Sequence, residues 1–170
     1  MQPEIVTLDG LAQDQWALLE KPGEEETLTL PQDPAIVPLA WFLEHREQVR
    51  AHDPEGQRVG VWFDSDDEPE RLGEDCQSLP LIAVNFPKFT DGRGYSIARL
   101  LRERYGFTGE LRAIGDVLLD QLHYMKRCGF STFVLRADKD IKKAPAALNV
   151  FSDAHQAAVD QRQPLFRRRA

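Results

Sequence analysis

Short apolar runs alternate with amphipathic segments through the middle of this chain, and that alternation limits the folds open to it. Each apolar run has the length of a strand. The runs cover residues 59–63, 81–86, 111–114 and 130–135. Between them, residues 95–105 and 117–128 carry apolar side chains at helical spacing, and Gly106 and Gly129 follow as helix ends. Alternation of this kind indicates right-handed βα units and a largely parallel sheet.

The N-terminal part predicts a β-hairpin over about residues 1–20. Residues 4–8 alternate apolar and polar side chains, Asp9-Gly10 is a turn pair, and residues 16–19 read as the returning strand. A helix is expected over residues 38–50, because proline suits a first helical turn and the apolar positions that follow recur at helical spacing.

The predicted fold class is therefore α/β, with a single domain over residues 1–163. Its sheet is expected to hold four or five mostly parallel strands in βα units, as an open sheet or as part of a barrel, preceded by the hairpin. Residues 164–170 read as a basic tail. A partial barrel would have unpaired strand edges, and a second copy in a homo-oligomer could cover them.

Composition excludes several classes of function. The chain has 170 residues, and its 28 acidic and 21 basic side chains give a net charge of −7, which repels nucleic acid and anionic membranes. Cys76 and Cys128 lie far apart and form neither a zinc pattern nor a disulfide framework. The first residues show no signal peptide, and no apolar run approaches the roughly 20 residues of a membrane helix. We therefore expect a soluble cytoplasmic protein without nucleic-acid or membrane partners.

The best candidate for a binding site is the sequence DGRGYS, which follows the second apolar run and opens a helical segment. This connection between a strand and a helix is here called the first joint. Gly92 and Gly94 could expose backbone N–H groups beside the positive end of that helix, where phosphate, sulfate or carboxylate binds well. Arg93 would add a bidentate fork and Ser96 a hydroxyl. The alternative is that Asp91 and Gly92 form a turn and that Arg93 is a solvated loop residue.

A second joint, RAIGD, ends the next apolar run. Arg112 is expected in a strand covered on both faces, where a guanidinium needs a partner, and Glu110, Asp91 or a bound anion could serve. Asp116 is placed to cap the helix that follows. If the two strands are neighbours, Arg93 and Arg112 could converge on one small anionic ligand.

No complete cofactor or metal motif accompanies these joints. Gly92 and Gly94 begin a dinucleotide pattern, but Ile97 stands where the third glycine belongs, and no phosphate-binding loop with Gly-Lys-Ser or Gly-Lys-Thr occurs. The sequence also contains no flavin or nicotinamide motif and no iron–sulfur cysteine set. The charged stripe on the helix at 117–128 is interpreted as a solvated face. The cofactor is therefore unknown, and no metal is predicted.

The stretch FPKFTDGRGYSIARLLRERYGFTGELRAIGDVLLDQLHYMKRCGF resembles a bacterial domain family of unknown function that is often encoded beside assimilatory sulfite reductase. The resemblance is specific over residues 81–135 and extends more weakly to IVPLAWFLEHRE and RVGVWF, while the C-terminal tail lies outside it. Members commonly carry the label of oxidoreductases of sulfite reduction. The resemblance implies sulfate assimilation in the bacterial cytoplasm, with sulfite reductase as a partner, and no established catalytic mechanism.

Two functions remain open at this point. The first is an accessory or anion-binding protein of sulfite reduction that uses the two joints to hold an oxyanion or to contact the reductase. The second is a stand-alone enzyme for a small phosphorylated or carboxylated metabolite, with Arg93 and Arg112 as anion clamps and Asp91 or Asp116 as general base. Because no redox motif is present, the sequence leaves open whether the protein is an enzyme.

Overall fold

A computed structural model describes residues 3–149 of the 170-residue chain, together with Val159 and Arg162. Eight strands lie in this part of the chain. They are β1 (Glu4–Thr7), β2 (Gly10–Gln13), β3 (Ala17–Leu18), β4 (Ala35–Pro38), β5 (Val59–Phe63), β6 (Leu81–Phe86), β7 (Glu110–Gly115) and β8 (Thr132–Phe133). The predicted basic tail, residues 164–170, falls outside the described residues.

All eight strands belong to one sheet, in the order β2-β1-β8-β7-β6-β5-β4-β3. From β3 to β8 each strand pairs in parallel with the next strand of the chain, whereas β1 pairs antiparallel with both β2 and β8. The predicted α/β class is confirmed, but the sheet is mixed rather than mostly parallel as predicted, because β1 adds antiparallel pairings with β2 and β8. The predicted number of four or five strands is wrong, because the hairpin joins the sheet, β3 has only two residues, and β4 reads in sequence as the approach to a helix.

The short connection between β2 and β3 requires the sheet to curl. These strands form its two edges, and only residues 14–16, here called the edge linker, join them. Four Cα steps reach about 14 Å, whereas the edges of a flat eight-stranded sheet would lie about 34 Å apart. The sheet is thus an open half-barrel, and the edge linker spans its opening.

The predicted hairpin is present, but its second strand lies earlier than expected. Strand β2 returns directly after the Asp9-Gly10 turn, where the Thr7 hydroxyl donates to the Gly10 carbonyl at 3.0 Å. Residues 16–19, the predicted return strand, instead contain β3, which pairs with β4 at the opposite edge of the sheet. A strand of two residues is too short for its pattern of side chains to indicate which strand it pairs with.

Five α-helices lie in the described part of the chain. They are α1 (Leu39–Glu44), α2 (Arg46–His52), α3 (Arg93–Glu103), α4 (Leu122–Arg127) and α5 (Ala144–Leu148). The helix predicted over 38–50 is divided at His45, whose imidazole Nδ1 lies 2.8 Å from the Trp41 carbonyl oxygen. The helix predicted over 117–128 becomes α-helical only at α4, because Leu118 is extended and a 3₁₀ turn follows it.

The helices cover one face of the sheet, which carries the main core. Alternate residues of the strands point to opposite faces, so Val61 and Val84 pack under the helices while Trp62 and Ala83 point away from them. The face away from the helices is here called the inner face. Its small buried cluster consists of Ile36, Trp62, Leu81, Ala83 and Ile114, and Trp16 of the edge linker packs against it.

The packing of α3 against the sheet can be tested at the two glycines of the DGRG sequence. A Cβ at Gly94 would lie 2.7 Å from two carbons of the Phe86 ring, whereas at Gly92 the nearest atom, on Tyr95, is 4.0 Å away. We expect Gly94→Ala to lower the free energy of unfolding by about 1–3 kcal/mol, and Gly92→Ala to change it by about 0.5 kcal/mol or less. Urea denaturation measures both. Equal losses in the two variants would contradict this packing.

Candidate functional site

Charged and amide side chains gather where the parallel strands β5 to β8 end. Parallel strands place their carboxyl ends at one edge of the sheet, where open α/β folds bind ligands. This group, here called the strand-end cluster, comprises Lys21, Asp64, Ser65, Asn85, Asp91, Arg93, Asp116, Arg136 and Asp138. Three separate ion-pair groups make up the cluster.

The first group is a chain of hydrogen bonds from Lys21 through Asp64 to Asn85. The Lys21 ammonium donates to Asp64 Oδ2 at 2.7 Å, and Asn85 Nδ2 donates to Asp64 Oδ1 at 3.1 Å. Burial raises the pKa of Asp64, but these two donors, together with the backbone N–H of Ser65, outweigh it and hold the pKa below its ordinary value. Asp64 in turn raises the pKa of Lys21. Gly115 makes room for Asn85, because a Cβ at that glycine would overlap the amide oxygen.

The second group joins Arg93 to Asp91 and Ser65. Arg93 Nη2 donates to Asp91 Oδ2 at 2.7 Å and to Ser65 Oγ at 2.9 Å, while its Nε donates to Asp91 Oδ1 at 3.0 Å. The backbone N–H of Arg93, at the start of α3, also donates to Asp91 Oδ1 at 3.1 Å. The Arg93 guanidinium lowers the pKa of Asp91 to about 2. At this helix end, the carboxylate of Asp91 therefore accepts the bidentate Arg93 fork that was predicted for a bound anion.

The other residues of the first joint lie in different environments. Gly94 is buried against the Phe86 ring, so it serves close packing between α3 and the sheet. Gly92 precedes α3 with a φ of −84°, which any residue can adopt, and Ser96 is exposed on the first turn of the helix. The predicted anion nest of Gly92, Gly94 and Ser96 stays a prediction.

The third group centres on Arg136. Its Nη1 donates to Asp116 Oδ1 at 2.8 Å, and its Nε and Nη2 donate to Asp138 at 2.6 and 2.9 Å. The Arg136 guanidinium lowers the pKa of Asp116 and lowers the pKa of Asp138 to about 2. Carboxylates whose pKa is lowered in this way are weak proton acceptors at neutral pH.

The expectation that Asp116 caps the following helix is wrong. Its Oδ2 accepts a hydrogen bond from the backbone N–H of Phe89 at 2.9 Å and therefore anchors the loop 87–92. Gln121 performs the capping bond instead, because its Oε1 accepts from the backbone N–H of Leu118 at 3.2 Å. The extended conformation of Leu118 moves the helix start away from Asp116.

Arg112 lies outside the strand-end cluster, on the inner face of β7. Its Nη1 donates to Asp14 Oδ1 at 2.9 Å, and its Nη2 lies 3.4 Å from Glu110 Oε1. Glu110 was one of the predicted partners, and Asp14 comes from the edge linker. Strands β6 and β7 are neighbours as the convergence with Arg93 required, but the two arginines share no partner among the described residues.

Sequence reasoning missed six members of the cluster, namely Lys21, Asp64, Ser65, Asn85, Arg136 and Asp138. A signal for Arg136 was present, since it directly follows the apolar run at 130–135, as Asp64 follows the run at 59–63. Asn85 lies inside an apolar run and reads as an interruption of the strand. Lys21 lies in a polar loop, and only the tertiary fold brings it to Asp64.

Within residues 3–149, Val159 and Arg162, no group of three or more His, Cys, Asp and Glu side chains is arranged to hold a metal ion. None of the helices in the described part of the chain is long and apolar enough to span a bilayer.

Comparison with known proteins gives one match. The model of a family described as a bacterial protein of unknown function, DUF934, matches residues 60–166, which is more than half of the chain. This span includes all residues of the strand-end cluster except Lys21. No curated protein matches the chain, and no solved structure matches it.

The Arg93–Asp91 pair predicts a specific pH dependence. Because the Asp91 pKa of about 2 lies below the ordinary 3.8, the pair stabilises the fold above about pH 4, and this contribution is lost as the pH falls toward 2. We expect Arg93→Ala to raise the Asp91 pKa toward its ordinary value, as measured by carbon-13 NMR of the carboxyl group. Arg99→Ala, on the same helix, is the control and should leave the Asp91 pKa unchanged. An unchanged Asp91 pKa in Arg93→Ala would disprove the pairing.

Proposed function

The chain belongs to the bacterial DUF934 family, and we propose that it serves assimilatory sulfite reduction as an accessory protein that docks on the reductase in the cytoplasm. The pathway comes from the sequence resemblance described above. The observation that supports docking is an exposed aromatic side chain, Phe89, on a loop whose backbone is anchored from two sides.

Loop 87–92 follows β6 and presents Phe89 to solvent. The side chain is 55% exposed, the largest value among the exposed large apolar side chains of the described residues. The Phe89 N–H donates to Asp116 at 2.9 Å, and the Phe89 carbonyl accepts from Gln121 Nε2 at 3.0 Å. A fixed backbone lowers the entropy lost when an exposed aromatic residue binds a partner.

A second exposed aromatic residue, Tyr124, lies on α4, and Gln121, which donates to the Phe89 carbonyl, directly precedes this helix. Tyr124 is three residues beyond Gln121, and it is 53% exposed. Its ring packs edge-on against Tyr95 at 4.8 Å between centroids. Phe89 and Tyr124 are here called the aromatic patch. Tyrosine and phenylalanine are enriched at protein interfaces because they bury a large area with few rotatable bonds.

The charge around the aromatic patch favours an acidic partner surface. The chain as a whole carries a net charge of −7. Lys88 precedes Phe89, and Arg99 is exposed on α3. A basic region on an acidic protein orients it as it approaches a partner.

The alternative of a stand-alone enzyme for a small phosphorylated or carboxylated metabolite stays a prediction. The pKa values of Asp91 and Asp116 are both lowered, and this gives it less support, because neither carboxylate is a strong base at neutral pH. Turnover of a metabolite pool by the purified protein, lost in Asp116→Asn, would favour the enzyme over the docking protein.

Docking predicts that the aromatic patch controls affinity for the reductase. With purified sulfite reductase from the same bacterium, we expect Phe89→Ala to weaken the Kd about tenfold or more, which corresponds to at least about 1.4 kcal/mol. Leu11→Ala is the matched control, because Leu11 is an exposed apolar residue on β2. Calorimetric titration measures both. No complex at micromolar concentrations, or equal losses in both variants, would disprove docking at this patch.

Growth of a strain without the gene tests the pathway. If the protein serves sulfite reduction, the strain fails on sulfate or sulfite as sole sulfur source and grows on sulfide or cysteine. Wild-type protein restores growth, and Phe89→Ala restores it poorly despite normal amounts of folded protein. Normal growth of the deletion strain on every source would remove the sulfur assignment.

A further inference from the structure

The inner face of the half-barrel contains an arginine whose hydrogen-bonding capacity is not filled. The Arg112 side chain is only 4% exposed, and its Nε has no acceptor among the described residues. Its Nη2 contacts Glu110 at 3.4 Å, which is long for a charged hydrogen bond. Nε and Nη2 lie on the same edge of the planar guanidinium. This edge is therefore the poorly satisfied one, whereas Nη1 holds Asp14 at 2.9 Å.

A second unpaired polar group lies on the neighbouring strand β8. Thr132 of β8 is directly opposite Arg112 of β7 in the sheet register, so both side chains point to the inner face. The Thr132 hydroxyl is buried and likewise has no hydrogen-bond partner among the described residues. Two buried unpaired groups in one register pair are unusual, since nearly all buried polar groups in proteins have partners.

We propose that Arg112 and Thr132 form a binding site for one small oxyanion, either inorganic or the carboxylate of a small metabolite. Two oxygens of the anion accept from Nε and Nη2 in the bidentate geometry that guanidinium groups favour. The Thr132 hydroxyl donates to an oxygen of the same anion. The site does not rest on the proposed docking function, because it lies on the inner face rather than at the aromatic patch.

Glu110 is the group that the anion displaces. Its side chain is 29% exposed, against 12% for Asp14, so it can turn toward solvent without breaking the stronger bond to Asp14. The exchange replaces one negative charge beside Arg112 with another and therefore leaves no uncompensated charge in the interior. Glu110 thus excludes the anion in the unliganded protein.

Equilibrium dialysis of the full chain with radiolabelled sulfate, phosphate and acetate tests the site. We expect one bound anion per chain, an affinity about tenfold weaker in Thr132→Val, and a return to near wild-type affinity in Thr132→Ser. Glu110→Gln should tighten binding, because it removes the competing charge. Binding of acetate alone would assign the site to carboxylates, and binding of sulfate or phosphate to inorganic anions.

Ser96→Ala is the control, because it changes the hydroxyl of the Gly-Arg-Gly joint and leaves the inner face intact. If this variant loses anion binding and Thr132→Val does not, the site is at the joint and the proposal is wrong. Absence of binding to both wild type and Glu110→Gln would overturn it as well. Reductase docking measured on the same preparations separates failure of this site from failure of the proposed function.

Discussion

The architecture depends on the edge linker, a connection of three residues between the two edges of an eight-stranded sheet. Because those edges cannot move apart, the sheet must curl, and its inner face is closed in beside Trp16. The same connection brings Asp14 to Arg112, 98 residues later in the chain. A buried arginine is tolerated only when its charge is compensated, so the position of the linker and the presence of Arg112 depend on each other.

At the carboxyl ends of the strands, the ion pairs are more exposed than the buried pair of Arg112 and Asp14. Each cation of the strand-end cluster is paired with at least one carboxylate of the same chain, and these pairs fix the loops that leave the sheet. Exposed pairs of this kind contribute little to global stability. Their effect is local: Asp116 holds the backbone of loop 87–92 while Phe89 remains exposed. The strand-end cluster is therefore a candidate binding site that also holds loop 87–92 and its exposed surface in place.

Much of the central sheet could be predicted from the sequence. The runs at 59–63 and 81–86 coincide with β5 and β6, because buried parallel strands are continuous apolar segments bounded by polar residues. Long-range pairing could not be predicted in the same way. Residues 16–19 gave the pattern of a hairpin strand but pair at the opposite edge, and Arg112 finds Asp14 through the curl of the sheet.

In the candidate site, too, some features could be predicted from the sequence and others could not. The sequence alone determined that charged residues follow apolar strands, which located Arg93 and Asp116, since the order of residues along a parallel strand fixes which end they occupy. Tertiary structure decided what those residues contact. Arg93 reaches Ser65 after β5, Asp116 holds a loop, and Arg112 contacts a linker from the other end of the chain. Hydrogen-bond partners are chosen by distance in space, and a local pattern in sequence carries no information about residues that the fold brings together from far apart.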